Sequence, residues 1–274
     1  VNAKERFVES NDEKYYYKDL IWACDTKLLY QQIDMNALEN PKEKQQVEEK
    51  QKTLETKRGG DSIIAVFLGT TLDRTYYTEK CTGHFFYTPN TNGLQDSLHK
   101  RSALDTSNKE EVIQWMKDYY KDNTYEIAIP SYRDETLSPK GKTGVVISTL
   151  MDYRIVHDVR EQGWYDEFKS LSEKLMIEAL DSSIYPTLKE NIEFQFSSTP
   201  LTIAHRTNNT DGAITGWAFD NDGIPAINSI PKISKAVLTP MKHIYQAGAW
   251  TYSPSGLPIS IMTGKLAVDK IKKK

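Results

Sequence analysis

The chain has 274 residues, of which 38% are hydrophobic and 27% charged, so it can bury a core as one large domain or two small ones. A net charge of −3 gives no electrostatic reason to expect a nucleic-acid partner, and the basic run 270–274 is typical of a solvated helix end. The sequence has no stretch of about 20 apolar residues, the length needed to span a bilayer.

The elements predicted along the chain alternate between strands and helices. Residues 2–9 and 14–23 predict a β-hairpin, and a helix over 26–33 is expected to be capped by Asp25. A helix over 41–57 is so rich in Lys, Glu and Gln that it is expected at the surface. Hydrophobic patterning predicts further strands at 62–69, 83–88, 125–130, 144–151, 192–196 and 244–249, and further helices at 108–122 and 165–180.

These elements predict a mixed α/β fold with α+β character. The four strands between residues 62 and 151 are expected to form a largely antiparallel central sheet, and helices are expected to cover one face of it. The N-terminal hairpin and the C-terminal strand and helix are expected to come together.

The side chains that often form metal or catalytic sites show no useful spacing. The five histidines lack an i, i+4 pair, so a zinc site is not predicted. Gly141-Lys142-Thr143-Gly144 precedes a strand, which argues against a phosphate loop. Cys24 and Cys81 are expected to be buried thiols of a reducing compartment, which favours the cytoplasm. No catalytic residue is assigned.

The C-terminal end carries the most specific pattern. An apolar strand over 244–249 ends in Ala-Gly, a Ser-Gly-Leu-Pro turn follows at 255–258, and a helix continues to Ile271. Proline is favoured in the first turn of a helix, and the first backbone N–H groups of a helix have no partner within it. Because such N–H groups and the helix dipole favour an electron-rich group, this loop is predicted to bind a ligand.

This ending resembles the C-terminal flavin motif of the phytoene desaturase-like branch of the FAD-dependent amine oxidoreductases. The resemblance continues upstream through residues 196–202, 210–217 and 238–240. In that family the loop cradles the ribityl chain and the pyrimidine edge of the flavin. Many relatives have an acidic residue where this chain has Ala249, so the ribityl contact is expected from backbone groups. The resemblance implies these cofactor-binding residues: Asp25, Gly248, Ala249, Trp250, Ser255, Gly256, Leu257 and Pro258.

The family holds the ADP half of FAD with a G-x-G-x-x-G turn, and the fourteen glycines of this chain do not include that spacing. Residues 18–25 instead resemble the family's strand that ends in Ala-x-Asp. We therefore expect the chain to be the C-terminal part of a longer polypeptide that supplies an N-terminal FAD-binding segment. Residues 1–35 and 236–274 are expected to be a remnant of the FAD-binding domain, and 36–235 the substrate-binding domain. The chain alone is expected to bind FAD weakly or not at all.

The resemblance also implies an activity, which is hydride transfer between flavin N5 and a carbon atom of an apolar polyene or retinoid-like substrate. Peripheral contact with a membrane is a further expectation for such a substrate. Two alternatives stay open: a non-catalytic module that binds a ligand or partner, and an amine oxidase, for which no lysine near N5 can be assigned. Aromatic residues are expected to line the substrate slot, namely Trp217 and Trp250, and after them Phe85, Phe86 and Tyr87.

Overall fold

The computed structural model describes residues 1–90, 101, 104–219 and 223–273. The chain divides into two compact units, which are Val1–Asp61 with Ile203–Lys274 (unit 1) and Ser62–Thr202 (unit 2). These boundaries differ from the boundaries at residues 35 and 236 that the sequence suggested. Unit 1 extends beyond residue 35 because Val47 and Leu54 pack with Leu29 in its core.

Unit 1 contains two small two-stranded sheets. One is the antiparallel hairpin, and in the other an N-terminal strand pairs in parallel with a C-terminal strand, Leu20 opposite Ile244 and Trp22 opposite Gln246. The expected association of the two ends of the chain is therefore confirmed. The predicted strand 14–23 is in fact two strands separated at residues 17–19. The strands are β1 (Phe7–Ser10), β2 (Glu13–Tyr16), β3 (Leu20–Trp22) and β9 (Ile244–Gln246).

The first two helices of unit 1 begin after side-chain caps, and the cap at Asp25 was predicted from the sequence. The side chain of Asp25 accepts from the backbone N–H of Lys27, and Asn40 caps the next helix ahead of Pro41. Both caps supply an acceptor to N–H groups that lack a partner inside the helix. The helices are α1 (Thr26–Gln32), α2 (Pro41–Glu55), α8 (Ile233–Ala236) and α9 (Leu257–Lys272).

Unit 2 is built on a five-stranded sheet in the order β5-β6-β7-β4-β8, with every neighbouring pair antiparallel. Its strands are β4 (Ile63–Thr70), β5 (His84–Tyr87), β6 (Tyr125–Ala128), β7 (Thr143–Leu150) and β8 (Ile192–Ser198). Its helices are α3 (Arg74–Thr78), α4 (Lys109–Asp122), α5 (Tyr153–Glu161) and α6 (Tyr165–Asp181), and α7 (Pro200–Thr207) contains the boundary between the units.

One face of this sheet is covered by helices, as the sequence predicted. Ile64, Val66 and Leu68 of β4 point to this face and are at most 3% exposed. They form one core with residues of α4, α5 and α6, such as Trp115 and Phe168. The alternate side chains of the same strands point to the opposite face, because successive side chains of a strand alternate.

Candidate functional site

The two parallel strands of unit 1 end at the same edge. The backbone N–H of Ala247, just after β9, donates to the carbonyl oxygen of Trp22, the last residue of β3, at 2.9 Å. Asp25 follows β3, and the segment that begins at Gly248 follows β9. In open α/β sheets, ligands bind beyond the carboxyl ends of parallel strands, so this edge is the first candidate site.

The segment 248–256, called the C-terminal loop here, begins with a glycine that the backbone requires. Gly248 has a φ of +87°. Its N–H donates to the hydroxyl oxygen of Thr263 on α9 at 3.0 Å, and its carbonyl oxygen accepts from Thr251 N–H. Glycine tolerates this backbone conformation without steric cost. The start of the loop is therefore fixed to α9.

The segment 215–217 holds the middle of the loop in place. The indole Nε1–H of Trp217 donates to the carbonyl oxygen of Trp250 at 2.9 Å, and the two indole rings meet edge to face at 4.8 Å. The hydroxyl of Ser255 donates to the carbonyl oxygen of Thr215 at 2.8 Å. Gly216 lies so close to the C-terminal loop that a Cβ added to it would be 2.3 Å from the carbonyl oxygen of Ala249.

The loop ends at the N-terminus of α9, and this end is exposed. Gly256, Leu257 and Pro258 are all exposed, with Leu257 75% accessible. Ser260 N–H donates to the carbonyl oxygen of Gly256, whereas the N–H groups of Leu257 and Ile259 make no hydrogen bond with other described residues. These two donors and the dipole of a 16-residue helix can stabilise a carbonyl oxygen or an anionic ring edge.

Asp25, the other predicted cofactor residue, is completely buried. One carboxylate oxygen accepts from Lys27 N–H and the other from Thr210 N–H, both at 2.7 Å. In this arrangement the carboxylate caps α1 and fixes the start of the segment that leads to Trp217. A contact between Asp25 and a cofactor stays a prediction.

The face of the unit 2 sheet that the helices leave uncovered, called the open face, is the second candidate site. The register places Phe196 opposite Phe67, Phe67 opposite Val146, and Val146 opposite Ala128. The rings of Phe67 and Phe196 stack at 4.8 Å with an interplanar angle of 8°. Phe194, which is 59% exposed, lies over Gly69 in the neighbouring row. The open face therefore exposes apolar and aromatic side chains to solvent.

The five aromatic residues predicted to line a substrate slot have different positions. Phe86 lies on the open face and is 69% exposed, whereas Phe85 and Tyr87 pack against the core of unit 2. Trp217 and Trp250 are 1% and 3% exposed in the core of unit 1. Rings with so little surface shape the C-terminal loop through packing and hydrogen bonds; direct substrate contact by these rings stays a prediction.

Sequence reasoning missed the aromatic residues of the open face, Phe67, Phe194 and Phe196. The alternation of residues 192–196 predicts a strand with one apolar face. It does not tell which face the helices cover. The only available signal in the sequence was that the intervening residues, Gln195 and Ser197, are polar. In the structure both side chains donate to Glu173 of α6, so the polar side of this strand is the helix-covered side.

Other groups with possible chemistry are dispersed. Among the described residues, no group of three or more His, Cys, Asp or Glu side chains is placed to hold a metal ion. No helix in the described part of the chain has the length and apolar composition for crossing a membrane. The expectation that both thiols are buried was wrong for Cys24, which is exposed just after β3, whereas Cys81 is half-buried.

Comparisons with known proteins found relatives of low sequence identity. No protein-family model matches the chain. Over 216 residues it is 25% identical to an all-trans-retinol 13,14-reductase of Danio rerio, and the match covers 76% of this chain and 33% of that protein. Over 189 residues it is 25% identical to a phytoene desaturase of Fusarium fujikuroi, covering 63% of this chain and 31% of that protein. The chain spans about a third of the length of these curated relatives.

A solved structure supports the fold. An oxidoreductase from Methanosarcina mazei matches 98% of this chain and 48% of its own chain, with a TM-score of 0.52 and 12% sequence identity. At this identity the similarity shows the fold alone. The sequence relatives, a retinol reductase and phytoene desaturases, support a relationship of this chain with the FAD-dependent oxidoreductase superfamily.

Proposed function

We propose that the chain is the flavin-contacting and substrate-binding part of an FAD-dependent oxidoreductase that acts on an apolar polyene or retinoid-like substrate. Flavin supplies hydride transfer at N5, and the protein binds, orients and shields the reactants. The observation that carries the proposal is the exposed N-terminus of α9, fixed at the carboxyl edge of two parallel strands, in a chain whose sequence relatives are a retinol reductase and phytoene desaturases.

The donors at this edge fit a flavin. The pyrimidine edge of the ring carries carbonyl oxygens and gains negative charge on reduction, so it is stabilised by N–H donors and by the positive end of a helix dipole. Leu257 N–H and Ile259 N–H are such donors. Because the sequence contains no G-x-G-x-x-G turn for the pyrophosphate, we expect this chain alone to bind FAD weakly.

The open face fits an apolar substrate. Phe67, Phe194 and Phe196 expose ring surface on the sheet, and the transfer of such surface from water to contact with an apolar ligand is favourable. Large exposed apolar patches often mark sites for ligands, proteins or membranes. Peripheral membrane contact, through which such a substrate could be obtained, belongs to the same proposal.

Two titrations of the 274-residue chain test the binding parts of the proposal. FAD binding is measured by quenching of flavin fluorescence, and binding of a polyene by quenching of tryptophan fluorescence. Phe196→Asp should weaken polyene binding about tenfold or more and leave FAD binding unchanged. The control Leu137→Asp changes an exposed apolar residue of unit 2 outside the sheet and should affect neither.

The redox part requires an anaerobic reaction. The protein saturated with FAD is mixed with a polyene, and the flavin absorbance is followed; reduced flavin is mixed with the polyene in a parallel reaction. We expect polyene-dependent reduction in the first or reoxidation in the second. If the protein binds both the polyene and FAD but the flavin is neither reduced nor reoxidised, the result would favour the non-catalytic binding module instead.

A further inference from the structure

The open face contains one straight row of side chains that crosses all five strands. The row runs through Phe196 of β8, Phe67 of β4, Val146 of β7, Ala128 of β6 and His84 of β5, each directly opposite the next. With neighbouring strands about 4.8 Å apart, its four steps span about 19 Å. Four apolar residues are thus followed by one polar residue at a single end.

The polar end of the row is a hydrogen-bonded pair. His84 Nε2 lies 2.7 Å from Oε1 of Glu126 on β6, and both side chains are a little under half exposed. The register places Glu126 opposite Phe86, whose ring centre lies 6.2 Å from that of His84. The second carboxylate oxygen of Glu126 makes no hydrogen bond with any described residue, and solvent or a ligand can reach the pair.

The chemistry of this pair discriminates between ligand ends. An ionised carboxylate only accepts hydrogen bonds, so its second oxygen needs a donor. A terminal hydroxyl supplies that donor, an ether or hydrocarbon end does not, and a carboxylate end would be repelled by the charge of Glu126. The row fits an extended apolar molecule with one alcohol end.

We propose that Glu126, positioned by His84, selects substrates that carry a hydroxyl group at one end of a linear apolar chain, with the chain lying along the row toward Phe196. This inference rests on the proposed apolar substrate of the open face. It goes further by naming the polar terminus and the residues that distinguish it.

The test compares all-trans-retinol with retinyl methyl ether and all-trans-retinoate, which differ at the terminal group. Affinities for the 274-residue chain are measured by tryptophan quenching. The wild type should bind retinol at least about tenfold more tightly than the ether, the effect expected for one hydrogen bond to a charged carboxylate, and should bind retinoate most weakly. In Glu126→Val the retinol-to-ether ratio should fall to about one.

The matched control is Glu193→Val, which removes another strand carboxylate of the same sheet, one paired with Lys142 at 2.5 Å. It should keep the wild-type ratio. Equal affinities for retinol and the ether in the wild type, or an unchanged ratio in Glu126→Val, would overturn the inference while leaving the open face as an apolar site. Failure of all three retinoids to bind would overturn the proposed substrate surface and the inference with it.

Discussion

The contact between Gly216 and the C-terminal loop gives the sharpest prediction about stability. Gly216 has a φ of +86°, and a Cβ there would lie 2.3 Å from the carbonyl oxygen and 2.9 Å from the carbonyl carbon of Ala249. In Gly216→Ala the left-handed backbone should cost about 1–2 kcal/mol, and the overpacking about 1–3 kcal/mol more. We therefore expect unfolding free energy to fall by about 2–5 kcal/mol.

The matched control is Gly223→Ala in the same unit. Gly223 also has a positive φ, +68°, but a Cβ added there would have no described neighbour within 4 Å apart from the adjacent residues of the chain. It should lose only the backbone contribution of about 1–2 kcal/mol. The entropic effect of replacing glycine in the unfolded chain is the same for both variants, so their difference isolates the contact with the loop.

Urea unfolding followed by tryptophan fluorescence measures both variants, since Trp217 and Trp250 report on unit 1. The slopes of the transitions should match the wild type, which licenses comparison of the free energies. Equal losses for the two variants, within about 0.5 kcal/mol, would refute the close approach of Gly216 to Ala249 and the argument that segment 215–217 fixes the loop.

Three further predictions concern unit 1. Gly256 has an extended φ of 175°, and a Cβ added there would only touch Pro258 at 4.0 Å. Gly256→Val should therefore keep wild-type stability in urea but weaken FAD binding at least tenfold. Unchanged FAD binding would contradict the assignment of the loop. Trp217→Phe leaves the carbonyl of Trp250 without its donor and should lower unfolding free energy by about 1–3 kcal/mol, whereas a loss near zero would show that water replaces the indole. Burial lowers the pKa of Lys50 below its ordinary value of 10.5 although its ammonium donates to the carbonyl oxygen of Pro225. The unfolded chain binds that proton more tightly than the folded chain, so the stability of the wild type relative to Lys50→Met should rise with pH up to about 10.5. Urea unfolding of both proteins over a pH series measures this difference in stability. A difference that does not change with pH would contradict the prediction.

Much of the fold could be predicted because local signals agree with the tertiary structure. Asp25 and Asn40 cap the helices expected after them, and the continuous apolar run at 62–69 is indeed an internal strand, β4, between β7 and β8. Strand ends were less predictable. The strand expected to end at Pro130 ends at Ala128, because a 3-10 turn begins at Pro130, whose ring has no N–H for a ladder.

The site was less predictable than the fold. The loop at 248–258 could be located because glycine and proline have specific backbone roles. The positions of aromatic rings could not, because the same residue type serves a core and a binding surface. Trp217 is fully enclosed, whereas Phe196 is 55% exposed, and only the tertiary placement of the helices decides between them. The pairing of His84 with Glu126 depends on the register between β5 and β6, and the sequences of these two strands do not predict that register.

The central claim is that flavin binds at the N-terminus of α9, and amide NMR of the isotope-labelled chain tests it most directly. The backbone signals of Leu257 and Ile259 report on the two N–H groups that lack a partner among the described residues. On addition of excess FAD, we expect these signals and that of Gly256 to shift most, and to shift far less in Gly256→Val. Shifts confined to other parts of the chain, or no shift at saturating FAD, would contradict the claim.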